Sequence, residues 1–335
     1  KNHLSIMKCG KFVISLDFEL IWGVRDKRTI QSYGENLRGV HQAIPRLLNL
    51  FDQYKIKGTF ATVGFLFFET KAELLANTPK KIPAYTNVEL SPYEGHFNLL
   101  GENYKEDIYH FAPQLINEIK KHPEQEISTH TFSHYYCLEN GQTQEDFKAD
   151  LDAALQIAEK KGITITSIVF PRNQFNEVYI KIIKELGLIS YRGNENCWLY
   201  KAKKGEQESS FRRALRLIDA YFNISGHNCY SDDFLISKFP MDIPSSRFLR
   251  PYSKSLKTLE GFRLRRILSG MTFAAKHNQT YHLWWHPHNF GTNQNENFSF
   301  LEKILEHYQF LNHNYGFKSI TMSQLSLDLN NKTHG

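Results

Sequence analysis

No run in the 335 residues approaches the roughly 20 consecutive apolar positions of a membrane-spanning helix. Cysteine is scarce and scattered: Cys9, Cys137, Cys197 and Cys229 form no Cys-x-x-Cys pair. That argues against a disulfide scaffold or a structural zinc knuckle and fits a reducing compartment. No Gly-x-Gly-x-x-Gly follows the first apolar run, and there is no Gly-Lys-Ser or Gly-Lys-Thr, which disfavours a nucleotide-binding sheet. Blocks of like charge are missing too. The net charge of +6 is spread along the chain, so a nucleic-acid partner is not expected. The first residues do not run basic, apolar, then small, as a secretory signal would. Lys1 is no initiator, and Met7, just before the run at 8–16, can be a natural start. A cytoplasmic location is the expectation.

What the chain has in quantity is aromatic side chains, 25 Phe and 17 Tyr, which suit an aromatic core or a carbohydrate-handling surface equally. It also alternates. Strand-like runs at 12–23, 59–63, 126–129, 163–170, 188–191, 281–285 and 317–320 are separated by stretches of helical spacing. Those stretches include 37–54, 65–75, 107–121, 144–161, 178–186, 259–277, 298–312 and 322–329. About seven strands interleaved with helices predict a parallel sheet, wound open or closed into a barrel. One domain spanning 1–335 is expected, with aperiodic insertions at about 77–104 and 194–252 that are expected to cover a cleft.

The stretch 12–23, Phe-Val-Ile-Ser-Leu-Asp-Phe-Glu-Leu-Ile-Trp-Gly, carries Asp17 and Glu19 at the end of a run expected to be buried on both faces. Residues two apart in a strand share a side, so these carboxylates are expected together, and something positive must accompany them. A strand end where both acids simply reach water is the plain alternative. His130 and His134 follow another strand at a spacing that, in a helical turn, faces one ion. Arg172, His286 and His288 also fall at predicted strand ends, the rim where barrels gather catalytic groups. With a first-strand carboxylate the two histidines make a triad suited to Zn²⁺ or another divalent transition metal. His282 is expected to point the opposite way in strand register, as a structural residue. Trp284 and Trp285 are each either core or sugar platform.

Four motifs in order carry a resemblance: Ser-Leu-Asp-Phe-Glu at 15–19, His-Thr-Phe-Ser-His at 130–134, Phe-Pro-Arg-Asn-Gln-Phe at 170–175 and Leu-Trp-Trp-His at 283–286. Together they resemble the polysaccharide deacetylases, the carbohydrate esterase family of the NodB homology domain. The resemblance implies a distorted, incomplete (β/α) barrel and removal of an acyl group from an amino sugar with a bound divalent metal. It implies His130 and His134 as metal ligands, Asp17 as general base, Arg172 as its orienting cation and His286 as general acid. The family's adjacent Asp-Asp is Asp-Phe-Glu here, which makes Glu19 the third ligand. Zn²⁺ is the expected ion, with Co²⁺, Ni²⁺ or Mn²⁺ as alternatives. Phe175 stands where the family has Tyr, its backbone N–H a candidate oxyanion donor. Trp285 and His288 are candidates for contacting substrate, and 194–198 is the nearest counterpart of the family's Asp-x-x-Asp-Trp motif.

Such a set is chemically coherent: a polarised water, a base beside it and an acid for the departing amine. The expected substrate is an N-acylated amino sugar, polymeric or linked to a nucleotide or lipid carrier. Two rivals remain at this level, a metal hydrolase of non-sugar amides and a catalytically degenerate sugar-binding protein of the same fold.

Overall fold

A computed structural model describes residues 9–200 and 209–333. Among them nine strands form one sheet in which every pairing is parallel. In chain order they are β1 (Lys11–Phe18), β2 (Gly58–Thr62), β3 (Glu126–Thr129), β4 (Ser167–Ile168), β5 (Ser190–Tyr191), β6 (Met241–Asp242), β7 (Arg247–Phe248), β8 (Thr280–Trp285) and β9 (Lys318–Ser319). The helices between them are α1 (Ile30–Tyr54), α2 (Lys71–Ala76), α3 (Pro113–Lys120), α4 (Gln144–Lys160), α5 (Glu177–Glu185), α6 (Ser210–Asp219), α7 (Asp232–Leu235), α8 (Glu260–Lys276), α9 (Gln294–Tyr315) and α10 (Met322–Thr333). The spatial order is β6-β5-β4-β3-β2-β1-β8-β7, with β9 pairing the first two residues of β1 below the start of β2. The result is the expected distorted, incomplete barrel.

Its edges approach through one piece of chain. In 241–249 the N–H groups of Met241, Ile243 and Ser245 donate to β5 and its continuation, and those of Ser246 and Leu249 donate to β8. The switch of partner falls at Pro244-Ser245-Ser246. Both β6 and β7 lie inside the expected insertion at 194–252, which therefore belongs in part to the sheet. Two-residue strands around a proline have no period to betray them. The expected strand at 163–170 shrinks to β4 for the same reason: only Ser167 and Ile168 form the ladder. Helical spacing at 65–75 and 107–121 resolves into turns before α2 and α3. Asp107 accepts from the N–H groups of Gly101, Tyr109 and His110 there, an alternative to helix for those donors.

β1 is buried along its whole length, and its two faces differ. Phe12, Ile14, Leu16 and Phe18 join the large core beneath α1, α3, α8 and α9. On the other face Val13 packs with Met241, Ile243, Met322 and Leu325, an apolar plug under the barrel interior. Above Val13 come Ser15 and Asp17, and Glu19 follows one residue beyond the strand. One face of one strand thus passes from apolar to ionic.

α1 starts at Thr29, whose hydroxyl accepts from the Ser32 N–H in a capping box, and it carries Pro45 in its interior. It holds the chain beyond β8 by backbone contact. A Cβ on Gly39 would lie 1.9 Å from the Gly291 carbonyl oxygen, and one on Gly291 would lie 1.8 Å from that of Asn36. Asn36 Nδ2 also donates to the His288 carbonyl, at 3.2 Å. In an ordinary helix interior, Gly→Ala stabilises by up to about 1 kcal/mol. Gly39→Ala is expected to do the reverse, costing about 1–3 kcal/mol through overpacking. Urea denaturation reads the sign directly, and a more stable variant would contradict this packing.

Candidate active site

Asp17 and Glu19 are 3% exposed and sit at the centre of the interior of the barrel. Arg192, immediately after β5, grips Asp17 with both arms: Nη1 to Oδ1 at 2.7 Å and Nη2 to Oδ2 at 2.8 Å. The same guanidinium donates to Ser15 Oγ at 3.1 Å and Asn173 Oδ1 at 3.0 Å, and lies 4.1 Å over the Trp284 ring. Burial alone would raise the Asp17 pKa, but Arg192 and the nearby histidines bring it below its ordinary value.

Arg172 does not orient Asp17. Arg172 and Asn173 both take left-handed backbone conformations, φ 55° and 52°, and the turn directs Arg172 to a carboxylate oxygen of Asp26 and the face of Tyr136. The arginine beside Asp17 is a different residue, Arg192. Its signal was present, since Arg192 ends a strand at 188–191, but no motif marked it.

Glu19 gathers four histidines. Its Oε2 lies 2.9 Å from His134 Nε2 and 3.2 Å from His130 Nε2, and its Oε1 lies 3.1 Å from His288 Nε2 and 3.6 Å from His286 Nε2. Burial would raise the Glu19 pKa, yet the surrounding imidazoles hold it well below the usual carboxylate range. Burial pushes His134 down to about 4, with Glu19 opposing, and lowers His288 as well. Gly23 leaves room for this arrangement. A Cβ there would fall 1.9 Å from Glu19 Cδ, inside the carboxylate.

The pair His130 and His134 does not stand on a helical turn. Thr131 and His134 are left-handed, φ 64° and 58°, and the loop folds its rings to 4.9 Å centroid separation. Asp150 on α4 fixes that loop, accepting from the Phe132 N–H at 2.7 Å, the Ser133 N–H at 3.2 Å and the Ser133 hydroxyl. Burial pushes its carboxyl up to about 7. The segment 77–104 lies against the same loop, with Tyr85 OH accepting from the Tyr136 N–H at 2.8 Å and Tyr136 packing on His134.

Two groups of metal-ligating type occur among the described residues, Glu19 with His130 and His134, and Glu19 with His286 and His288, their ligand atoms within 4.8 Å of one another. The donor set fits an ion. His130 Nδ1 lies 2.7 Å from the Val169 carbonyl, which commits that nitrogen as donor and leaves Nε2 a lone pair. Nε2 and the Glu19 carboxylate then face each other as two acceptors, an arrangement that a cation or a second ring proton relieves. A two-histidine, one-carboxylate set of this kind suits a divalent transition metal.

Three further expectations change. His288 does not line the surface of the cleft: it is buried, with Nδ1 2.8 Å from Tyr33 OH and Nε2 on Glu19. Trp285 is fully buried against Phe290 on the helix side, because β8 places odd positions outward. Trp284 is the tryptophan that faces the interior, between Arg192 and His286. His282 shares that face rather than opposing it. It contacts Ser15 Oγ at 2.8 Å beneath Arg192, and burial lowers it to about 3. Phe175 packs its ring against Phe170 and Tyr191. His286 keeps an open side, with 23% of its side chain exposed and Nδ1 3.2 Å from Asn289 Oδ1.

Removing one member of a buried ion pair leaves the other uncompensated. Arg192→Gln is therefore expected to cost about 3–5 kcal/mol, whereas Arg172→Gln, in a more exposed pair, costs about 1 kcal/mol. Chemical denaturation of the two variants checks the order, and equal losses would contradict this assignment of the Asp17 partner.

Residues 33–190 match the family model described as polysaccharide deacetylase. Among curated proteins no sequence matches. Three solved structures share the fold. The putative polysaccharide deacetylase from Mycobacterium smegmatis has TM-score 0.60 and 12% identity, covering 98% of this chain and 93% of that one. The probable polysaccharide deacetylase from Pseudomonas aeruginosa PAO1 has TM-score 0.54 and 10% identity, with 96% and 90% covered. The PuuE allantoinase has TM-score 0.55 and 10% identity, with 97% and 91% covered. At such identities the likeness is one of fold. The matched segment contains His130, His134 and Arg172, while Asp17, Glu19, Arg192 and His286 reach the same site from outside it. Residues 33–190 are thus similar to the polysaccharide deacetylase family, and the chain shares the fold of solved structures described by that name.

Proposed function

We propose that the chain, as a single domain, is a metal-dependent hydrolase that removes an N-acyl group, acetyl or formyl, from an amino sugar. The observation that carries the reading is Glu19. A buried carboxylate faces the Nε2 atoms of three histidines while the His130 Nδ1 is already committed elsewhere.

His130, His134 and Glu19 would hold the ion, Zn²⁺ before Co²⁺, Ni²⁺ or Mn²⁺. Bound there, it would lower the pKa of a water and polarise the acyl oxygen. Asp17 takes the water's proton. Arg192, itself held by Asn173, keeps that carboxylate ionised and aimed, the part the resemblance implied for Arg172. His286 protonates the departing amine through Nε2, its Nδ1 being tied to Asn289, and Nε2 lies 3.7 Å from Asp17 Oδ2. His288 holds the second oxygen of Glu19 and so acts on the ligand rather than on the sugar. The Phe175 N–H remains the candidate donor to the developing oxyanion, and Trp284 with Phe248 supplies the aromatic wall.

Elemental analysis of purified protein is expected to find about one divalent ion per chain. Deacylation of a panel of N-acyl sugars should fall on chelation and return with metal. Absence of metal together with no turnover on the panel would leave a sugar-binding protein of this fold. Turnover of non-sugar amides alone would move the substrate class.

Asp17→Asn keeps shape and removes the base, so kcat should drop about 10²–10⁴-fold with metal retained. Gly23→Ala should act on the other carboxylate. Its methyl displaces Glu19, so metal affinity should fall about 10–100-fold, with activity recovered in excess metal. Full metal occupancy in Gly23→Ala, measured after dialysis, would contradict the role of Glu19.

A further inference from the structure

Two residues past the strand that pairs with β8 stands an arginine, Arg250, that nothing so far explains. β7 pairs β8 with Phe248 opposite Trp284, and the Leu249 N–H donates to the Trp284 carbonyl at 2.8 Å. Arg250 lies two residues beyond Phe248, as His286 lies two beyond Trp284, both just past the ends of their strands. The Arg250 guanidinium lies 5.9 Å from the Phe248 ring centre, and Phe248 packs at 4.7 Å on Trp284 and 5.9 Å on His286. Arginine, aromatic wall and His286 therefore form one continuous strip at the mouth.

The other arginines near this strip are matched. Arg192 has Asp17, Arg247 has Asp219, Arg263 has Glu260 and Arg266 has Asp219. Arg250 is half-buried, and among the described residues its guanidinium has neither a carboxylate within ion-pair reach nor a hydrogen bond. Burial favours loss of its proton, Tyr200 and Tyr221 oppose that, and the Arg216 and Arg247 charges add to the effect of burial. Its own carbonyl receives a further guanidinium, that of Arg263. A planar cation held partly out of water among other cations is stabilised by an incoming anion, and guanidinium geometry matches the oxygens of a phosphate.

We propose that Arg250 is the phosphate-binding residue of the substrate site, and that the amino sugar processed here carries a phosphate. The sugar would lie on Phe248 and Trp284 with its acyl group toward Glu19, and its phosphate would project along the rim to Arg250. Such a substrate is a sugar phosphate, or a sugar linked through phosphate to a nucleotide or to a lipid carrier, rather than an interior unit of a neutral polymer. This rests on the N-deacylase reading above, but recognition of the anion can be measured apart from turnover.

The experiment compares kcat/KM for N-acetylglucosamine, its 1-phosphate, its uridine-diphosphate form and its polyprenyl-phosphate form in detergent, with wild type, Arg250→Gln and Arg250→Lys. The expected result is a preference for phosphate-bearing forms that Arg250→Gln lowers about 10-fold or more relative to the neutral sugar, through KM, and that Arg250→Lys partly restores. Whichever phosphate-bearing form shows the largest ratio names the carrier. In parallel, calorimetric titration with pyrophosphate is expected to show binding to wild type that Arg250→Gln weakens by a similar factor. If no sugar is turned over, the deacylase reading fails and the pyrophosphate titration still decides the role of Arg250. A substrate ratio and a pyrophosphate affinity both unchanged in Arg250→Gln would overturn the proposal.

Discussion

Two carboxylates inside an apolar barrel are the constraint on which the rest of this structure turns. Neither Asp17 nor Glu19 has water enough to stay charged alone, and each is kept ionised by partners from distant parts of the chain. Asp17 takes a two-armed arginine from the end of β5, backed by Ser15 and Asn173. Glu19 takes imidazoles from the ends of β3 and β8. The two acids stand two residues apart and share His286, yet their nearest partners differ, a guanidinium for one and imidazoles for the other. A carboxylate locked to a guanidinium stays ionised. A carboxylate ringed by imidazole nitrogens is a donor set suited to a cation.

The scaffold serves this division by making small residues and loop geometry carry precision. Gly39 against Gly291 brings α1 into backbone contact with the chain after β8, and from α1 Tyr33 and Asn36 hold His288. Gly23 leaves the space that the Glu19 carboxylate occupies. Asp150 braces the loop bearing His130 and His134 from behind. None of these residues touches the centre of the site, and each fixes a group that does.

Much of the fold was legible because burial on both faces of a parallel sheet leaves continuous apolar runs, and amphipathic helices leave a period. β1, β2, β3 and β8 fall close to the expected runs, and α4 and α8 fall close to the expected helical stretches. The short strands β6 and β7 left no such trace. In the site, residue type and position at strand ends identified Asp17, Glu19, His130, His134 and His286 as members. Partnership was less legible. Arg172 and Arg192 both follow strands, and only the left-handed turn at 172–173 directs one to Asp26 while leaving Asp17 to the other. His288 and Trp285 were expected at the substrate surface, and the alternation of β8 with the turn after it carries both inward.

What the sequence determined by itself is the inventory and its order: strands alternating with helices in a parallel sheet, two acids at the end of the first strand, and histidines after the third strand and after β8. These follow from local rules, since period, strand parity and residue chemistry act over a few positions. What only the tertiary structure decided is who meets whom. Arg192 reaches Asp17 across 175 residues, and His288 reaches Glu19 across 269. Those distances close only when the sheet curls, and a curl is the sum of many small twists that no short stretch of sequence encodes.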